Sequence, residues 1–85
     1  MSREEIRIKA AQALALAEDE VFRAFVAEVR DAQMSAFRNS RADQTEVREE
    51  AHAILRALDA IEHRLKSAMI DEVIEAKKEQ HRGND

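Results

Sequence analysis

No cysteine and no proline occur in these 85 residues, and Gly83 is the only glycine. Without cysteine, neither a disulfide nor a thiolate metal site can staple the chain. Without proline and with one glycine, the tight turns of a β-protein have no residues to build them. Tryptophan and tyrosine are also missing, and three phenylalanines make up the 4% aromatic content. The usual stacking surfaces for bases, sugars or flavins are therefore absent. No apolar run approaches the ~18 residues that a membrane-spanning helix needs. Gly-rich phosphate loops are excluded by the glycine count alone.

Alanine, leucine, glutamate and arginine fill the sequence instead, and all four favour helix. Charged residues reach 38%, with 14 basic against 18 acidic and a formal net charge of -4. The two signs are interspersed, which describes a solvated surface and not a disordered tail. The acidic balance argues against direct nucleic-acid binding by a single copy. The opening Met1-Ser2-Arg3-Glu4-Glu5 carries too much charge for a signal peptide, so a cytoplasmic location, or the interior of an assembled particle, is expected. One domain over residues 1–85 is the expectation, and a domain this small commonly gains stability by oligomerising or by docking on a partner.

Three helices are readable. Ser2 with Glu5 forms a capping box, followed by Ile6, Ala10, Ala13, Leu14 and Ala17 at helical spacing, which predicts a helix over about 3–17. Its alanine-rich face is shallow, so a partner backbone can approach closely. Glu18-Asp19-Glu20 interrupts the pattern, and a kink or short turn is expected there. Phe22, Phe25, Val26, Val29, Ala32, Ala36 and Phe37 then stripe a helix over about 19–38. Residues 39–43, Asn-Ser-Arg-Ala-Asp, read as a polar loop, with Asp43 as the next cap and Glu46 as its box partner. The third helix, about 44–80, carries Val47, Ala51, Ile54, Leu58, Ile61, Leu65, Met69, Val73 and Ala76. Its steps alternate four and three as far as Leu65, like a coiled-coil seam, and then drift as on a straight helix. At ~1.5 Å per residue such a helix is ~55 Å long, more than the second helix can cover. Glu5–Lys9 and Glu62–Lys66 are spaced to pair at i,i+4, and Gly83 is placed to end the last helix in a left-handed cap.

Candidate chemistry is sparse. Glu49-x-x-His52 puts a carboxylate and an imidazole on one helical face, as in di-iron bundles. Ala51 lies on the seam, however, so His52 points outward, and a solvated pair is the expected reading. His63 sits four residues after Asp59 and is expected to pair with it; His81 falls in the last turn, where a cation is favoured. No serine, threonine or lysine has an evident His or acid partner, so nucleophilic catalysis has no support. Arg38, Arg41 and Arg48 gather around the loop, but Asp43 and Glu46 are interspersed and cancel the field that nucleic acid needs. Ile8, Leu16, Met34, Leu55 and Ile70 fall off the main stripes. They are either scattered surface residues or a second apolar stripe for a partner.

The order Leu14…Phe22…Val29-Arg30, a polar loop, then Arg48-Glu49-Glu50…Leu55-Arg56-Ala57-Leu58-Asp59-Ala60-Ile61…Leu65 resembles short helical proteins of tailed bacteriophages from the head-assembly and DNA-packaging genes. The resemblance covers about residues 14 to 70. The family's usual aromatic before the polar loop is matched only by Phe37. The likeness implies a part in virion assembly, as a minor structural component or packaging accessory, and brings no catalytic residues with it.

The expectation is thus an all-α chain, a helical hairpin of two long amphipathic helices with an additional N-terminal helix. It works without catalysis, metal or cofactor as an assembly or adaptor module, in the cytoplasm or within a virion. Phe22, Phe25, Val26, Val29, Phe37, Val47 and Ile54 are read as core. Leu58, Ile61, Leu65, Met69, Ile70, Val73 and Ile74 are read as the interface, taken up by a second copy or a larger protein and not by a membrane. The rival readings are the oligomerisation part of a DNA-packaging accessory, a metal-binding helical hairpin built on Glu49 and His52, and a small inhibitor of a host protein.

Overall fold

The computed structural model describes residues 2–83. Among them the chain forms three α-helices and no strand: α1 (Arg3–Glu18), α2 (Glu20–Arg38) and α3 (Thr45–Gly83). The all-α expectation holds.

Local chemistry sets the helix ends. Ser2 has extended dihedrals, its Oγ accepts from the Glu5 amide at 3.1 Å, and its carbonyl accepts from the Ile6 amide at 3.0 Å. That is the N-cap the capping box calls for, and Glu4 and Glu5 complement the helix dipole in the first turn. The acidic interruption is a real break. Asp19 is extended at φ -68°, ψ 120°, and its amide donates to the Leu16 carbonyl at 3.2 Å. A single non-helical residue therefore ends α1 before α2 begins at Glu20.

The loop over residues 39–44 is held by its own polar groups. The Asn39 amide donates to the Ser35 carbonyl at 2.9 Å, and the Ser40 hydroxyl donates to the Phe37 carbonyl at 2.8 Å, so two of the last carbonyls of α2 are satisfied. Gln44 then closes a reverse turn. Its amide donates to the Arg41 carbonyl at 2.9 Å, and its side-chain Oε1 accepts from the Arg41 amide at 2.8 Å. This moves the expected cap by one residue: α3 starts at Thr45, the Gln44 carbonyl accepts from the Arg48 amide at 3.4 Å, and Asp43 instead meets Arg41 Nε at 3.5 Å. Gly83 also departs from expectation. It is the last helical residue of α3 and has no positive φ, so it does not form a left-handed cap. Nothing after the Lys77–Arg82 stretch forces the backbone out of helix before that point.

The expected single domain divides into two compact units, because the break at Asp19 lets α1 and α2 pack on different lengths of α3. Unit 1 is Met1–Asp19 with His63–Asp85, and unit 2 is Glu20–Glu62. In unit 1, α1 lies on the C-terminal part of α3. Ala10 and Ala13 of α1 and Ala68 of α3 are buried, and Arg3 bonds Glu79. This is the close, shallow packing that an alanine face permits. In unit 2, α2 packs on the N-terminal part of α3. Ala51 is the tightest point, at 1% exposure, and Phe22, Val26, Ile54 and Leu58 are half-buried around it.

Candidate interaction surfaces

Every buried residue among those described is an alanine: Ala10, Ala13, Ala51 and Ala68. A helix pair that brings alanines together leaves the larger side chains on its flanks, and that is where they stand. Of the residues read as core, Phe22, Val26 and Ile54 are half-buried, whereas Phe25, Val29, Phe37 and Val47 are exposed, Phe25 to 61%. Helical periodicity gives the angular position of these side chains correctly. A single α3 is too narrow to cover them all, since two packed helices bury only the strip between them.

The predicted interface residues divide between the units. In unit 2, Leu58 is half-buried and Ile61 is exposed. In unit 1, Leu65 and Met69 are half-buried, while Ile70, Val73 and Ile74 are exposed, at 57%, 49% and 46%. Here α1 does fold back on the end of α3, but its alanine face meets the Ala68 side and leaves this patch in solvent. Arg7, Leu14, Met69 and Val73 line an open apolar trough between α1 and α3. Ile74 adjoins Lys77, Lys78, His81 and Arg82, so the apolar patch runs into a basic helix end.

Unit 2 carries an apolar surface on each side of its α2–α3 contact strip. On one side, Met34 and Phe37 of α2 face Leu55 and His52 of α3, with Arg38 at the edge. Arg30 lies on the same side, one turn before Met34. It donates to Asp59 at 3.0 Å and to Glu62 at 2.5 Å, joining the two helices. These two hydrogen bonds, Asp59's first, raise the Arg30 pKa above its ordinary value, with desolvation opposing them. A raised cation contributes its stability at every pH below its unfolded pKa and loses it only as the pH climbs through the folded one, so Arg30 stays charged and bridged throughout the neutral range. On the other side, Val21, Phe25 and Val29 repeat every four residues along α2, and Val47, Ile54 and Ile61 every seven along α3.

Residues singled out for chemistry are placed otherwise. The Arg48 guanidinium donates to the Arg41 carbonyl at 2.5 Å and the Ala42 carbonyl at 3.2 Å, so it organises the loop and is not turned out as a phosphate contact. Arg41 pairs with Asp43. Asp59 and Glu62, expected to pair along their own helix with His63 and Lys66, turn across to Arg30. That pairing depends on the register between two helices, and spacing within one helix carries no signal for it. Glu49 and His52 are exposed on α3, and no three His, Cys, Asp or Glu groups converge as a metal site among the described residues. No described helix is long and apolar enough to cross a membrane. No family model, curated protein or solved structure matches this chain.

Proposed function

We propose that this chain is a non-enzymatic helical assembly or adaptor module, a helical hairpin with an additional N-terminal helix, that acts by presenting apolar helix faces to copies of itself. The observation that carries the reading is the composition of its interior. Four alanines are buried, while thirteen larger apolar side chains stand more than about a third exposed among the described residues. Burying such a side chain is worth roughly 1.5–3 kcal/mol, and a domain of this size has only ~5–15 kcal/mol of net stability. Leaving so many in water forgoes more than the fold has in hand. A partner that covers even four of them supplies a large share of the total.

The likeness to head-assembly and packaging proteins of tailed bacteriophages supports placing this module in virion assembly, as a minor structural component. Association linked to folding makes the thermal midpoint depend on protein concentration. Melts at 2 and 200 µM are expected to differ by several degrees, and Val73→Glu is expected to lower the midpoint and reduce that difference. Midpoints equal at both concentrations, in the parent and in Val73→Glu, contradict the reading.

A further inference from the structure

The two apolar sides of unit 2 carry rims of opposite charge. On the Met34–Phe37–Leu55 side, helical spacing places Arg23 and Arg30 on α2, with Arg38 beside Met34 at the edge, and Arg48 and Arg56 one turn either side of His52 on α3. These are all the arginines of the two helices within Glu20–Glu62. Of the acids there, Asp59 and Glu62 are both held by Arg30, and Glu49 stands on the outer stripe with Arg56. On the Val21–Phe25–Ile61 side the rim is Glu28, three residues after Phe25, and Glu50, four before Ile54, with Glu46 one turn earlier. No lysine or arginine of this unit lies on that side.

We infer that unit 2 joins further copies of this chain head to tail, the arginine-rimmed Met34–Phe37–Leu55 side of one copy packing on the glutamate-rimmed Val21–Phe25–Ile61 side of the next. The inference rests on the self-assembly reading above and specifies its geometry. Like sides brought together by a two-fold axis would set glutamates against glutamates or arginines against arginines, whereas unlike sides set each rim against its opposite. The exposed parts of Val21, Phe25, Val29, Val47 and Ile61 amount to about 400 Å² of apolar surface, close to the apolar half of the ~800 Å² per partner in a stable interface. A heterologous contact leaves one free side of each kind at the ends, so growth continues past the dimer into a ring or filament.

Two double variants of the full chain separate the sides: Phe25→Gln with Ile61→Gln, and Met34→Gln with Phe37→Gln. Helicity by circular dichroism checks that each folds. The parent is expected to exceed dimer mass in sedimentation velocity. Each variant alone is expected to sediment as a monomer, and an equal mixture to form a complex of one copy of each that grows no further. A variant that self-associates like the parent while the other does not shows a two-fold contact and overturns the head-to-tail geometry. Two variants that both assemble like the parent overturn the use of these sides but leave the self-assembly reading standing. A parent that stays monomeric overturns both. Should a variant lose its helicity, Glu28→Lys with Glu50→Lys, both exposed, takes its place. It is expected to weaken self-association about tenfold at low salt and to remove most of its salt dependence; unchanged association overturns the inference.

Discussion

Alanine at the contact points decides how closely the helices approach, and Ala51 shows the consequence most clearly. At 1% exposure there is no volume for a larger side chain between α2 and α3. Ala51→Leu is expected to destabilise unit 2 by about 1–3 kcal/mol through overpacking, read as a lower thermal midpoint at constant protein concentration. Position along the seam separates two other residues that periodicity treats alike. Leu58 is half-buried against α2, so Leu58→Asp places a charge between the helices and is expected to abolish the cooperative melt. Ile61 is half exposed, so Ile61→Asp is expected to keep its helicity and lose its assembly. A scan of ellipticity and a sedimentation run on the two variants distinguish these outcomes.

Among the elements, the loop over residues 39–44 is the one most dependent on a single side chain. Arg48 ties the Arg41 and Ala42 carbonyls to the first turns of α3. Arg48→Ala is expected to speed amide exchange at Gln44 and its neighbours by about tenfold while leaving the middle of α2 protected. Unchanged protection at Gln44 would mean that the side-chain bond from Gln44 to Arg41 holds the loop unaided. Much of this scale is legible in the sequence. Ser2, the acidic break at Asp19 and the polar loop each act on their nearest neighbours, and local chemistry is what spacing reports. The Arg30–Asp59–Glu62 bridge is not legible, because it needs the register between two helices. The helical state of Gly83 is not legible either, since glycine permits a left-handed cap without imposing one. The exposure of Phe25, Val29 and Phe37 is missed for a related reason: periodicity identifies an apolar face but not what covers it.

For the whole molecule, each compact unit is a two-helix layer whose strip of contact is narrower than its apolar surface. The account therefore stands or falls on self-association. Light scattering coupled to size exclusion, on the unaltered chain at micromolar concentration, measures this directly. The predicted result is a mass that is a multiple of 9.7 kDa and rises with concentration. A folded, monodisperse species of 9.7 kDa at every concentration would contradict it.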